Sequence, residues 1–103
     1  MAKILPPVHP GEVLREEFMI PLGISINALA RDLHIPPSRV SKIVNQERSI
    51  TADTAMRIAR YFGTSDEFWM NLQSRYDLLV ARDHDHHAIE RQVHPRERVA
   101  SSS

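Results

Sequence analysis

The sequence contains no cysteine. That removes disulfides and thiolate metal centres and is compatible with a reducing cytoplasm. No apolar run approaches the roughly 18 residues needed to cross a bilayer. The opening MAKILPPVHPGE lacks the apolar stretch of a secretory signal, so no membrane partner is expected and a cytoplasmic location is. Charge of one sign is also missing, since 13 basic residues balance 13 acidic ones. A uniformly basic nucleic-acid-binding surface is therefore excluded, and any such surface must be local. No HExxH, GxSxG or phosphate loop occurs, and serines and histidines form no recognisable catalytic arrangement. Neither a catalytic residue nor a cofactor is expected, and the chain does not read as an enzyme. There are no internal repeats and no stretch with the two-residue period of strands.

What remains is 103 residues, 42% of them hydrophobic, enough for one compact core. Residues 1–8 read as an extended arm, because Pro6 and Pro7 disfavour helix. Pro10 suits a first helical turn. A helix follows to about Ile20, with Leu14, Phe18 and Val13 on its apolar side, and Pro21 and Gly23 stop it. Ser25 caps a second helix, whose Ile26, Leu29, Ala30 and Leu33 recur at i, i+3, i+4 and i+7. His34 and Ile35 form a break. Pro37 begins a third helix with Val40, Ile43 and Val44 on one face. Thr51 caps a fourth, with Asp53 in its first turn and with Ala52, Ala55, Met56, Ala59 and Phe62 turned to the core. Gly63 ends it. Ser65, followed by Asp66 and Glu67, opens a fifth helix reaching about Arg82. The expected fold is all-α: five helices over residues 9–82, then a flexible polar tail over 83–103.

Two short helices joined by a tight turn make a helix-turn-helix plan over about Ser25 to Asn45. Ala30 is small enough for close approach, and Leu29, Leu33, Val40 and Ile43 would set the crossing angle. The third helix then presents Pro37, Ser38, Arg39, Ser41 and Lys42. Arginine and lysine donate to guanine or phosphate, and serine serves either. Asn45 and Arg48 flank that helix as phosphate contacts, although Asn45 equally suits a C-terminal cap. Between Arg31 and Arg48 lie four basic residues and two acidic ones, a modest local excess. On periodicity alone, two bundle helices with a solvated polar face would read the same way.

The run from His9 to Leu78 strongly resembles the HigA-type antitoxins of the Cro/CI-like (XRE) helix-turn-helix family. Its most distinctive pieces are HPGE at 9–12, LAR at 29–31, ITADTAMRIARYFGTS at 50–65 and FWMNLQSRYDL at 68–78. The resemblance covers about Val8 to Ala81. It implies a homodimer that binds an operator in its own promoter as an autorepressor. It also implies neutralisation of a partner toxin, usually a RelE-like ribonuclease that cuts mRNA. Three positions depart from the pattern. His34 and Gln46 stand where the family commonly has glycine. Ile26 stands where many members place a glutamine beside the DNA backbone, which leaves Ser25 or Asn27 to supply that contact.

The fifth helix carries two overlapping apolar stripes. Phe68 and Leu72 are expected against the first and fourth helices. Trp69, Tyr76, Leu79 and Val80 are expected in a two-fold dimer interface, which a domain of this kind needs to read two half-sites. His84, His86 and His87, with Asp83 and Asp85, are residue types that ligate zinc or nickel. Their spacing matches no closed site, so a solvated tail is expected and no metal. Three rival readings stand beside the antitoxin. One is a stand-alone repressor without a toxin, another an interaction module that has lost DNA binding, and the third a metal binder acting through the histidines.

Overall fold

The computed structural model describes residues 7–97; most of the arm expected over 1–8, and residues 98–103, lie outside them. The described residues form five helices and no strand. Helix α1 (residues 10–22) begins at a side-chain cap followed by a proline. His9 is the cap, its Nδ1 accepting from the Gly11 N–H at 2.9 Å, and Pro10 occupies the first turn. The helix widens to π geometry over Leu14–Met19, where the Ile20 N–H reaches back to the Arg15 carbonyl. Pro21 explains the widening: it has no N–H, and its ring crowds the carbonyl one turn back. The wider turn takes Pro21 in, so the helix runs past Ile20 through the turn Ile20–Leu22 and ends on Gly23 at φ 66°.

Helix α2 (Ile26–Leu33) is capped by Ser25, whose Oγ accepts from the Ala28 N–H at 3.1 Å. Helix α3 (Pro37–Val44) starts from Pro36 with Pro37 in its first turn. Thr51 caps helix α4 (Ala52–Phe62), and Gly63 closes it at φ 77°. Ser65 caps helix α5 (Asp66–Gln92), its Oγ accepting from the Phe68 N–H at 3.1 Å. His34 and Gln46 adopt φ of 59° and 64°, so both turns keep a left-handed geometry without glycine.

The core is centred on Leu14, Leu29, Ile43, Ile58 and Trp69. Leu29, Ala30, Leu33, Val40, Ile43 and Val44 are buried as their spacing predicts. Three expectations are corrected. In α4, Ala52 and Met56 are exposed, Met56 at 60%, because the inward face runs through Thr54, Ala55, Ile58 and Ala59. In α5, Trp69 and Gln73 are buried and Phe68 is 40% exposed, a rotation of one residue from the expected register. Trp69 takes the inner position because its indole N–H donates to the Thr64 hydroxyl at 2.8 Å while its ring packs 5.3 Å from that of Phe18. Finally, α5 continues past Arg82 to Gln92, so the irregular tail begins at Val93 and not at Asp83. No glycine or proline interrupts residues 83–94, and the helix stops just ahead of Pro95. This long helix stretches the molecule to 56 Å in one direction against 27 and 26 Å in the others.

Candidate nucleic-acid interface

Helices α2 and α3 pack as the helix-turn-helix pair, with Ala30 buried where they approach and Val40, Ile43 and Val44 anchoring α3 from beneath. That anchorage decides which side chains remain outside. Pro37, Ser38 and Lys42 are exposed, and Arg39 and Ser41 are half-buried. The Arg39 Nε has no hydrogen-bond partner among the described residues. A desolvated guanidinium N–H without an acceptor favours any acceptor brought to it. Ser41 and Asn45 lie one turn apart on one side of α3, the Asn45 amide donating to the Ser41 hydroxyl at 3.4 Å. Asn45 terminates α3, and Arg48 is exposed in the loop that follows. Ser25 and Asn27 are exposed at the start of α2, where the Ser25 oxygen is engaged as the cap.

The bracing of this pair involves residues that the periodicity left unassigned. From α4, Arg57 donates through Nη1 to the Leu33 carbonyl at 3.0 Å and through Nε to Asp53 at 2.8 Å. One side chain thus satisfies the open carbonyl end of α2 and ties it to the next helix. The Tyr61 hydroxyl donates to Asp32 at 2.8 Å, and that bond, to a carboxylate, raises the pKa of the phenol. On the opposite side, Gly11 lies against the last turn of α3: a Cβ there would overlap the Ile43 carbonyl oxygen. The HPGE segment therefore combines a cap, a first-turn proline and a close backbone contact with α3. His9 is buried, its ring edge-on to Tyr76 at 4.8 Å. Burial lowers its pKa, and the Asp77 carboxylate partly opposes that.

Of the residues expected between protomers, Trp69 is corrected: its side chain is fully buried in its own core and offers no surface to a partner. Tyr76, Leu79 and Val80 are half-buried, and Leu78 beside them is 50% exposed. The histidines fall on the outer half of α5. His86 Nε2 lies 3.3 Å and His87 Nδ1 3.8 Å from the Glu90 carboxylate, all three side chains being largely exposed. Among the described residues no group of three or more ligand-type side chains is gathered to hold a metal ion, and no helix is long and apolar enough to cross a membrane.

The helix-turn-helix family profile matches residues 14–69. Virulence-associated protein I of Dichelobacter nodosus is 53% identical over 77 residues, which cover 75% of this chain and 71% of that protein. Antitoxin HigA-1 of Vibrio cholerae is 38% identical over 77 residues, 75% of this chain and 72% of that protein. Among solved structures, Pseudomonas aeruginosa antitoxin HigA with the higBA promoter superposes with a TM-score of 0.84 at 47% identity, over 88% of this chain and 99% of that one. The chain belongs to the helix-turn-helix family, on its Cro/CI-like (XRE) branch with the HigA-type antitoxins, a family of DNA-binding regulators and not of enzymes.

Proposed function

We propose that the chain is an antitoxin that binds operator DNA as a homodimeric autorepressor and neutralises a RelE-like mRNA-cleaving toxin. The observation that carries the DNA half is the outward face of α3. Its apolar residues are spent on the core, leaving Pro37, Ser38, Arg39, Ser41 and Lys42 facing outward over a rigid base. Arg39 and Lys42 supply base or phosphate contacts, Ser38 and Ser41 hydrogen-bond beside them, and Pro37 sets the angle at which α3 meets the groove. Ser25, Asn27, Asn45 and Arg48 touch phosphates on either side. Two copies related by a two-fold axis would present two such helices to half-sites about 34–36 Å apart. Tyr76, Leu79 and Val80 on α5, joined by Leu78, form the contact between protomers. The toxin half rests on the relatives named antitoxin, among them the promoter-bound homologue, whose fold is matched over 99% of its length.

The test is fluorescence anisotropy of the purified protein on its own upstream DNA against scrambled DNA across a salt series. Specific binding should weaken with salt at a slope near −0.9 per phosphate contacted. Equal affinity for both DNAs would overturn the operator reading. Co-purification with the product of the adjacent gene tests the toxin half, and its failure with operator binding intact would leave a stand-alone repressor.

A further inference from the structure

The DNA-reading elements are held from behind by a chain of polar contacts on α5 that runs from buried Gln73 to exposed Asp77. Gln73 is 4% exposed, in the middle of the helix's inner face. Its Oε1 accepts from the Ile50 N–H at 2.7 Å, and its Nε2 donates to the Asp77 carboxylate at 2.9 Å, one turn further along. Within the same turn, the Tyr76 ring packs edge-on 4.8 Å from that of buried His9, which caps α1 beside Gly11 and the last turn of α3. One turn of α5 therefore reaches both sides of the recognition helix. It meets the helix's C-terminal turn through His9 and Gly11, and the far end of the following loop through Ile50.

That loop needs an outside anchor. Residues 45–49 are all exposed. Its first half is tied to α3, with the Gln46 N–H on the Ile43 carbonyl at 3.0 Å and the Glu47 N–H on the Lys42 carbonyl at 2.8 Å. Past Arg48, the loop is held by the buried side chain of Ile50 and by the bond from its N–H to Gln73. A buried amide N–H with no partner is costly, so the bond fixes the loop's path as well as occupying space.

We infer that Gln73 is a positioning residue for DNA reading, which sets the loop carrying Arg48 from α5 through the Ile50–Gln73–Asp77 hydrogen-bond chain. The inference rests on the operator reading above. It also places the control of that loop within about two turns of Leu78, Leu79 and Val80 on the same helix. A partner that shifts α5 would then shift the DNA contacts without touching them.

The experiment compares the full chain with Gln73→Met, Gln73→Glu and the double variant Gln73→Glu/Asp77→Asn. It reads the hydrogen-exchange protection of the Ile50 amide and the affinity for the upstream DNA. Gln73→Met keeps the volume and removes both bonds. It should expose the Ile50 amide to exchange and weaken specific binding about tenfold. Gln73→Glu keeps the acceptor for Ile50 but sets a second carboxylate against Asp77, so it should also weaken binding. Adding Asp77→Asn reverses donor and acceptor along the same chain and should restore both readouts. A side chain that merely filled space would show no such rescue. If Gln73→Met fails to fold, the Glu variants decide the matter alone. A protected Ile50 amide and unchanged affinity in Gln73→Met, or no restoration in the double variant, would overturn the positioning role. Failure of the unaltered protein to prefer its upstream DNA, with Ile50 protected, would instead overturn the operator reading.

Discussion

Replacing Gly11 by alanine should destabilise the protein through a single atom. The added Cβ would overlap the Ile43 carbonyl oxygen, with the carbonyl carbon at 2.7 Å and the His9 Nδ1 at 3.1 Å. Neither backbone atom can rotate away, because Ile43 is in the last turn of α3 and its side chain is buried. Helix α1 must therefore move outward by roughly 1–2 Å to recover van der Waals separation. Overpacking of this kind costs about 1–3 kcal/mol, and loosening the His9 cap adds about 1 kcal/mol. Alanine's better helix propensity returns roughly 1 kcal/mol. The net loss is about 1–3 kcal/mol, against a total of roughly 5–15 kcal/mol for a protein of this size. In urea the unfolding midpoint should fall by about 1–2 M at an unchanged slope. Gly63→Ala is the control, since nothing lies within 4 Å of a Cβ there and only its φ of 77° is strained. It should lose about 1 kcal/mol. A Gly11→Ala midpoint equal to wild type, or a smaller loss than Gly63→Ala, would refute the close contact between α1 and α3.

Arg39→Ala should lower affinity for the upstream DNA about ten- to a hundredfold at fixed salt, as loss of one bidentate contact does, with the thermal melt unchanged; equal affinity would remove Arg39 from the interface. Gln46→Gly should raise the melting temperature by about 2–4 °C, because relief of the left-handed φ exceeds the entropy glycine loses on folding; a fall would show that the Gln46 side chain contributes more than its backbone costs. Acid should weaken the fold through His9. Burial lowers its folded pKa below 6.5, so its contribution is complete above that value and is lost as pH falls through the folded pKa, the unfolded chain taking up the proton first. Urea midpoints measured at about pH 7.5 and about pH 5.5 should differ more for wild type than for His9→Asn, which keeps a capping oxygen without a titrating ring; equal differences would refute the role of His9.

The parts legible in the sequence are those where one periodic signal has one solution. Helices α2 and α3 are short, and each has a single apolar stripe, so Leu29, Ala30, Leu33, Val40, Ile43 and Val44 could be assigned inward and the polar face of α3 outward. The caps of α2, α4 and α5 were equally plain, since Ser25, Thr51 and Ser65 are each good capping residues at the start of a helical pattern, the last two with acidic residues in the first turn. The left-handed positions were visible only through the resemblance, because His34 and Gln46 give no signal of their own for a positive φ. The bracing by Arg57 and Tyr61 was not legible at all. Each pairs with a group more than twenty residues away, and nothing in an exposed arginine or tyrosine on α4 announces a carbonyl or carboxylate on α2.

Helix α5 shows why more apolar residues give less information. Phe68 and Trp69 are adjacent and both aromatic, so the two stripes they begin differ by one residue, a rotation of about 100°. Hydrophobicity cannot choose between them. The choice is made by hydrogen bonding, because Trp69 has an N–H that needs an acceptor and finds Thr64, whereas Phe68 needs nothing. The same rotation buries Gln73, one turn beyond Trp69, at a position that a polar side chain would ordinarily be assigned to solvent. A glutamine within a largely apolar stretch, with an aspartate four residues later, is the available sequence signal for such a chain of bonds. It becomes readable only once Trp69 has fixed the face. The end of α5 fails for the opposite reason. Residues 83–92 are polar enough to suggest disorder, yet they contain no breaker and carry helical pairs such as His86 with Glu90. Composition describes what a segment lacks for building a core. It does not decide whether a helix already nucleated by Ser65 and held by Trp69 will stop, and with no glycine or proline before Pro95 there is no physical reason for it to end at Arg82.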